Sequence, residues 1–213
     1  SFTASSTAYI KGGMARNVYG GGWDGPVGRH NSSTTAITDD VLGETNVIIG
    51  RPDADIAAGY TEAHALDPTL DEDEYYFYNG VPAITRNAYA AGEGGVVHGT
   101  ANLNIYNGLI GYRYKHKDNI TVSEKNYYRI ETENGDIKYV TMDADDDLTG
   151  EDYFYVEEID QDNVGDNIMY DAGNAFGGGY AVNSDVDIAN ITLWNGIIRN
   201  SMYGGGEIAT IGR

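Results

Sequence analysis

The chain contains the stretch Asn190-Ile-Thr-Leu-Trp-Asn-Gly-Ile-Ile-Arg-Asn-Ser-Met-Tyr-Gly-Gly-Gly206, which decides the predicted fold because parts of it recur elsewhere. Its closing tetrapeptide, Tyr203-Gly-Gly-Gly206, returns as Tyr19-Gly-Gly-Gly22 and Phe176-Gly-Gly-Gly179, and in weaker form as Tyr89-Ala-Ala-Gly92. Recurrence at one place in a longer unit indicates a fold that stacks copies of that unit.

Each unit opens with a predicted strand in which alternate residues are apolar, so that one pair from each copy lies on the same face. These pairs are Ala8/Ile10, Val47/Ile49, Leu103/Ile105 and Ile191/Leu193. The Asn-Gly steps at 107–108 and 195–196 tolerate positive φ, which a sharp corner needs. A second short strand then carries the aromatic residue of the tetrapeptide.

The spacing of equivalent residues indicates parallel stacking. Asn174 and Ser201 are 201 − 174 = 27 residues apart, whereas Asn17 and Asn87 are 70 apart and Asn87 and Asn174 are 87 apart. The same strand therefore returns after a full circuit instead of reversing in a tight hairpin. We predict an all-β fold, a single-stranded parallel β-helix (β-solenoid) of about four coils that forms one domain over residues 1–213.

The longer intervals require insertions, which we place at approximately 23–45, 51–74 and 112–169. The last contains two alternating runs around Asn134-Gly135, the strongest short hairpin signal, and 153–159 adds a third candidate strand. We expect an antiparallel hairpin or meander there. The best helical candidate, 57–66, is interrupted by Gly59 and closed by Asp67-Pro68, so no helix is predicted.

The formal net charge of −20 indicates that nucleic acid and anionic membranes would repel the chain. No apolar run is long enough to cross a bilayer, and the absence of cysteine excludes disulfides and thiolate metal sites. We expect an extracellular or cell-surface protein that neither binds nucleic acid nor inserts into a membrane.

A run of carboxylates in the last insertion predicts a Ca²⁺ site, because hard cations take several oxygen ligands from a short loop. The candidate ligands are Asp143, Asp145, Asp147, Glu151 and Asp152. The alternative interpretation is a solvated acidic turn, and it is favoured because Leu148 replaces the glycine that a calcium loop requires. Apart from this ion, no cofactor is expected.

Two further sets of residues are candidate ligand-binding groups. Arg16, Arg86 and Arg199 occupy one corner of different units and would present a stripe to an anionic sugar, or would pair with nearby carboxylates. Tyr106 and Trp194 share a repeat position and would hold sugar rings, or would simply stack on each other. The column Tyr19, Tyr89, Phe176 and Tyr203 is interpreted as packing.

The unit Asn-apolar-x-apolar-x-Asn-Gly-apolar-apolar followed by Arg-Asn-x-Tyr-Gly-Gly-Gly resembles the Gly-rich repeats of large adhesin-like surface proteins of gut bacteria and methanogens. This resemblance implies a parallel β-helix and a non-enzymatic structural or adhesive role. Its expected partners are glycans, host or partner surface proteins, and neighbouring coils of a longer parent chain.

The alternative function is a carbohydrate-active β-helix domain, either a polysaccharide lyase or hydrolase, or a carbohydrate-binding module. The sequence offers no Gly-x-Ser-x-Gly elbow and no paired-histidine zinc motif, and we assign no catalytic residue.

Overall fold

A computed structural model describes residues 4–29, 40–70, 72, 75, 79–115, 127–131, 137–141, 154–158 and 173–212. These residues form fourteen strands and a 14-residue helix. In chain order the elements are β1 (Ser5–Ile10), β2 (Met14–Tyr19), β3 (Gly43–Ile49), α1 (Asp53–Leu66), β4 (Ala83–Tyr89), β5 (Val97–Ile105), β6 (Gly108–Ile110), β7 (Tyr112–Lys115), β8 (Tyr127–Glu131), β9 (Ile137–Thr141), β10 (Phe154–Glu158), β11 (Ala175–Phe176), β12 (Val186–Leu193), β13 (Gly196–Ile198) and β14 (Met202–Tyr203).

The first sheet is four-stranded and parallel, in the order β1-β3-β5-β12. Its register aligns the apolar pairs that the repeat predicted: Ala8 lies opposite Val47, Val47 opposite Leu103, and Leu103 opposite Ile191. The predicted alignment of these strands is confirmed. We call each such line of residues, one from every strand, a column.

The second sheet is also parallel, in the order β13-β6-β4-β11-β14, and β2 joins it by pairing with β4. Strand β4 is long enough to face two short strands on one side: its beginning pairs with β6 and its end with β11. On its other side a single strand, β2, covers both halves. The sheet is therefore branched.

The prediction of a single-stranded parallel β-helix of about four coils in an all-β fold is wrong. The structure has two separate parallel sheets, one of them branched, together with an α-helix, in a mixed arrangement of strands and helix. The prediction failed because the repeat reports which residues align between strands, and this alignment does not specify how the strands are divided between sheets.

A third sheet is antiparallel, in the order β7-β10-β8-β9. The two alternating runs of 127–141 are β8 and β9, and they pair with Tyr127 opposite Thr141. Strand β10 lies between β8 and β7 and is antiparallel to both.

Helix α1 lies within the predicted insertion at 51–74, where no helix was expected. Pro52 precedes its first residue, and Asp53 and Asp55 in the first turn interact favourably with the helix dipole. Asp67-Pro68 ends it, because the residue before a proline avoids the helical conformation. Ile56 is its buried residue, and a helix that buries so little shows almost no apolar periodicity in the sequence.

The core lies between the two parallel sheets. One hydrophobic cluster joins Val47, Ile49 and Leu103 of the first sheet to Ile84 and Ile110 of the second. Thr45 of β3 spans the same interior, and its hydroxyl donates to the Ala90 carbonyl oxygen at 2.7 Å. The corners between the sheets are equally tight: a Cβ added to Gly20 would lie 2.0 Å from the same carbonyl oxygen.

Candidate functional site

The aromatic residues of the four tetrapeptides form one continuous stack, which we call the aromatic column: Tyr19, Tyr89, Phe176 and Tyr203. Neighbouring ring centroids are 4.9, 5.0 and 5.1 Å apart, and the rings are within 11° of parallel. Tyr89 and Phe176 in the middle are buried, whereas Tyr203 at one end is 47% exposed. The packing predicted for this column is confirmed.

Two asparagine ladders run beside the sheets. In the first sheet, the Asn102 Nδ2 donates to Asn46 Oδ1 at 3.0 Å, and the Asn190 Nδ2 donates to Asn102 Oδ1 at 2.9 Å. In the second sheet, the side-chain oxygens of Asn17 and Asn87 accept from the backbone N–H of the asparagine in the next strand, at 3.1 and 2.9 Å. Each amide thus ties together strands that are 56 to 88 residues apart.

The most polar part of the aromatic column is at Tyr89. Its hydroxyl donates to the carboxylate of Glu207 and accepts from the Asn87 Nδ2 at 3.1 Å. Burial raises the pKa of Glu207, while the hydrogen bond from Tyr89 and the charge of Arg86 oppose that rise. The second carboxylate oxygen of Glu207 is buried and has no hydrogen-bond partner among the described residues.

Burial and nearby carboxylates also raise the pKa of two tyrosines in the aromatic column, Tyr19 and Tyr89. Burial, reinforced by the negative charge of Glu93, raises the pKa of Tyr19 to about 12. The pKa of Tyr89 is also raised, first by burial and then by its contact with Glu207. Both phenols are therefore neutral at physiological pH, and the Tyr89 hydroxyl serves as a hydrogen-bond donor.

Glu207 and Glu93 were missed by the sequence reasoning. Each directly follows the last glycine of its corner, as Tyr180 and Trp23 do in the other copies. Backbone bonds from Tyr180 N to Gly92 O and from Glu207 N to Gly179 O, at 3.1 and 3.0 Å, keep these positions aligned. The signal was present in the repeat: Tyr89-Ala-Ala-Gly-Glu93 matches Tyr203-Gly-Gly-Gly-Glu207 when the alignment is extended by one residue.

The three arginines proposed as an anion stripe occupy different surroundings. Arg16 is exposed and lies where the register of β2 against β4 shifts between Ala15 and Asn17. Arg86 is half-buried on the opposite strand, and its charge reaches Tyr19 and Glu207. Ser201 is aligned with Asn174, which is aligned with Asn87. Arg86 comes one residue before Asn87, whereas Arg199 comes two residues before Ser201, so the two arginines are offset by one residue. Anion binding by these arginines stays a prediction.

Tyr106 and Trp194 stack as the repeat predicted. Their ring centroids are 5.8 Å apart and their planes differ by 3°. Both follow the last residues of paired strands, because Ile105 of β5 lies opposite Leu193 of β12. Trp194 is 64% exposed, so one face of this pair is open to solvent.

The proposed calcium ligands Asp143, Asp145, Asp147, Glu151 and Asp152 lie outside the described residues, and calcium binding stays a prediction. Among the residues that the structure describes, no three His, Cys, Asp or Glu side chains come together as a metal site requires. No helix in the described part of the chain is long and apolar enough to span a membrane.

Comparison of the chain with protein-family models, with curated proteins and with solved structures gives no match. The resemblance to adhesin-like surface proteins therefore stays a prediction that depends on the repeat alone.

Proposed function

We propose that the protein is a non-enzymatic structural or adhesive module of a larger extracellular or cell-surface repeat protein. The observation that supports this proposal is the aromatic column, in which four rings from distant parts of the chain stack without interruption. Stacked rings and hydrogen-bonded asparagines restrict motion along the whole length of a ladder. A stiff support of this kind suits a stalk that holds binding surfaces away from a cell.

The polar groups nearest the aromatic column also support a structural role. The Tyr89 hydroxyl, the Asn87 amide and the Glu207 carboxylate bind one another. These bonds stabilise the fold and occupy the Tyr89 hydroxyl, the Asn87 amide and one oxygen of Glu207 in internal contacts. In such a module the partners are glycans, host or partner surface proteins, and neighbouring units of a longer parent chain.

Two measurements test the proposal: the location of the protein on the cell and its resistance to force. In cells that produce it, an antibody raised against residues 1–213 should label intact cells, and external protease should remove that label. In single-molecule pulling, the domain should resist force more strongly than the Phe176→Ala variant, which interrupts the aromatic column. Labelling only after the cells are lysed would contradict the proposal.

Carbohydrate binding is the second candidate, either as a binding module or as part of a polysaccharide lyase or hydrolase. The observation that favours it is the solvent-facing Trp194 ring, held flat against Tyr106. A flat indole of fixed orientation can hold a sugar ring through apolar contact.

A glycan array tests this second function, and the chain supplies its own control. The Trp194→Ala variant should lose binding that the wild-type protein shows. Trp23 is the other tryptophan and is 79% exposed, so Trp23→Ala removes an exposed indole from the corner that follows β2 instead of the one that follows β12. Equal loss in both variants, or no binding by the wild-type protein, would contradict a site at Trp194.

A further inference from the structure

The hydroxyl of Tyr89 lies in the middle of the aromatic column, although stacking alone does not require it. Phe176 is aligned with Tyr89 on the neighbouring strand, and its ring stacks at 5.0 Å without a hydroxyl. Tyr89 is 2% exposed, and the carboxylate of Glu207 is partly buried against it. Burying a carboxylate costs free energy that a phenylalanine at position 89 and an apolar residue at position 207 would avoid. Packing alone therefore does not account for the pair of Tyr89 and Glu207.

The hydroxyl proton of Tyr89 is directed at a base. The hydroxyl donates to one carboxylate oxygen of Glu207, and the Asn87 Nδ2 donates to the hydroxyl oxygen at 3.1 Å. The proton therefore lies between the phenol oxygen and an oxygen that can accept it. The bond from Asn87 is kept after the proton has moved, because a phenol oxygen without its hydrogen still accepts a hydrogen bond.

Two other tyrosine rings contact Tyr89. Tyr19 lies face to face with it, with ring centroids 4.9 Å apart and planes within 6° of parallel. Tyr180 meets the same ring edge-on, with centroids 5.8 Å apart, and is itself partly exposed. Backbone bonds from Tyr180 N to Gly92 O and from Ile208 N to Tyr180 O place Tyr180 between two other copies of its corner. Because aromatic rings in contact exchange electrons readily, an electron can pass from Tyr89 to an oxidised Tyr180 ring.

The surroundings of Tyr89 favour loss of an electron together with a proton. Burial raises the pKa of Tyr89, so the phenol is protonated at physiological pH. Loss of one electron makes a phenol strongly acidic, and the resulting cation is costly in a buried site unless its proton leaves. Burial also raises the pKa of Glu207, which makes its carboxylate a stronger proton acceptor than that of an ordinary glutamate. The acceptor is therefore both in contact with the proton and suited to take it.

We propose that Tyr89 is a redox-active tyrosine that traps oxidising radicals as a neutral phenoxyl radical, with Glu207 as its proton acceptor. A peroxyl radical in solution takes one electron from the Tyr180 ring and, with a proton from water, becomes a hydroperoxide. Tyr89 returns an electron to Tyr180, and its O–H bond breaks as an O–H bond forms on Glu207. The buried Tyr89 radical cannot couple with a tyrosine of another molecule. This inference goes beyond the proposed function and does not depend on it.

Flash oxidation tests the identity of the radical. The oxidant is photogenerated tris(bipyridine)ruthenium(III), and phenoxyl radicals are followed by their visible absorption and by electron paramagnetic resonance after rapid freezing. The chain has 18 tyrosines, so exposed ones are oxidised too, but their radicals decay first because they couple between molecules. The wild-type protein should show an additional slowly decaying radical. Tyr89→Phe should lose it, whereas Tyr203→Phe, which removes a hydroxyl from the same column, should keep it.

Glu207→Gln tests the proton acceptor, because glutamine accepts the hydrogen bond of Tyr89 but does not take its proton. The slow radical should form about 10²-fold more slowly in this variant, the usual contribution of a general base. In the wild-type protein its rate of formation should rise with pH through the raised pKa of Glu207, and in Glu207→Gln it should not. Both proteins keep the other titratable groups around the pair: Arg86, Glu93, Tyr19 and Tyr180. The difference between the two profiles therefore reports Glu207 alone.

Three outcomes would overturn the proposal. A wild-type protein without a slowly decaying radical would exclude a protected tyrosine. A slow radical that survives in Tyr89→Phe would belong to another residue. Equal rates and equal pH profiles in the wild-type protein and Glu207→Gln would exclude the carboxylate as proton acceptor. Circular dichroism and melting curves would verify that each variant is folded under the conditions of the flash experiment.

Discussion

At the scale of single residues, the corners between the two parallel sheets depend on glycine because backbone from another strand occupies the space of a side chain. Gly20, Ala90, Gly177 and Gly204 follow the aromatic residue in the four copies. A Cβ on Gly177 would lie 2.6 Å from Gly204 O, but a Cβ on Gly204 would meet no atom within 4 Å. This position is therefore crowded at Gly20 and Gly177, where the backbone of the next copy lies against it, and open at Gly204 in the last copy, whereas Ala90 carries a Cβ there.

This difference gives a matched pair of substitutions. Gly20→Ala should lower the free energy of unfolding by about 1–3 kcal/mol, the usual cost of overpacking, because its methyl group would overlap Ala90 O. Gly204→Ala should change it by less than about 0.5 kcal/mol. Urea unfolding of the wild-type protein and the two variants measures both changes. Similar losses in the two variants would show that backbone crowding is not the cause.

Glu207 makes the stability of the fold depend on pH. Its pKa is raised above the ordinary 4.5, mainly by burial, so the folded protein binds this proton more tightly than the unfolded chain. Its contribution to stability is complete below the unfolded pKa and is lost as the pH rises through the folded pKa. Glu207→Gln cannot ionise and should remove that loss.

Urea unfolding of the wild-type protein and Glu207→Gln from about pH 4 to 8 measures this effect, since the interval covers an ordinary or raised glutamate pKa. The difference in unfolding free energy should shift in favour of Glu207→Gln as the pH rises. Tyr89→Phe is the control: it keeps the ring stack but removes the hydroxyl that binds the carboxylate, so it should destabilise the fold by about 1 kcal/mol. A difference between wild type and Glu207→Gln that does not vary with pH would contradict the burial of this carboxylate.

At the scale of elements, the aromatic column joins two longer strands, β2 and β4, to two very short ones, β11 and β14. Strands β11 and β14 have two residues each, so their backbone bonds are few. The rings they carry are buried between others or cap the end of the stack. Ring packing thus compensates for the small number of ladder bonds in this half of the second sheet.

Truncating the rings separates the middle of the aromatic column from its end. Phe176→Ala should cost about 3–5 kcal/mol, because a buried ring leaves a cavity between two neighbours. Tyr203→Ala should cost clearly less, since that ring has one neighbour and is half exposed. Thermal melts at low protein concentration measure both, and a larger loss in Tyr203→Ala would contradict this account of the column.

The sequence predicted which residues align between strands better than it predicted how the strands and the helix are arranged. Residues such as Leu103 and Ile191 were assigned to one column correctly because a stacked parallel strand repeats its own chemistry at each level. Helix α1 was missed because it buries Ile56 and otherwise presents a mixed polar surface, which gives no apolar stripe to recognise. The repeat aligns Glu207 with Glu93, but the contact of Glu207 with Tyr89 was missed because the two residues are 118 apart, and a single sequence does not report a contact between different columns.

At the scale of the whole molecule, electrostatic repulsion opposes the compact state. The net charge of −20 is spread over 213 residues, and the compact state brings these charges closer together than the unfolded chain does. Raising the ionic strength screens these charges by shortening the Debye length from about 30 Å at 0.01 M to about 8 Å at 0.15 M. The fold is therefore expected to gain stability from salt.

Melting curves in NaCl test this expectation and also isolate calcium. The melting temperature should rise with NaCl between about 0.01 and 0.15 M, because the Debye length falls over this interval from about 30 Å to about 8 Å. CaCl₂ at matched ionic strength should raise it further only when the ion binds a specific site, such as the acidic run at 143–152. A melting temperature that falls with NaCl would contradict a dominant repulsion.

The alignment of equivalent residues in neighbouring strands affects how the gene for this protein can gain or lose segments. Two equivalent stretches lie side by side in the second sheet: Asn87-Ala88-Tyr89 and Asn174-Ala175-Phe176. Loss of residues 88–174 would join Asn87 directly to Ala175, so an asparagine, an alanine and an aromatic residue would still follow one another at the junction. Recombination between similar stretches of a gene gains or loses such segments in frame. The length of a molecule built in this way is therefore a variable that genetic copying errors can change in whole steps: after the loss of residues 88–174, β12 would take the place of β5 beside β3.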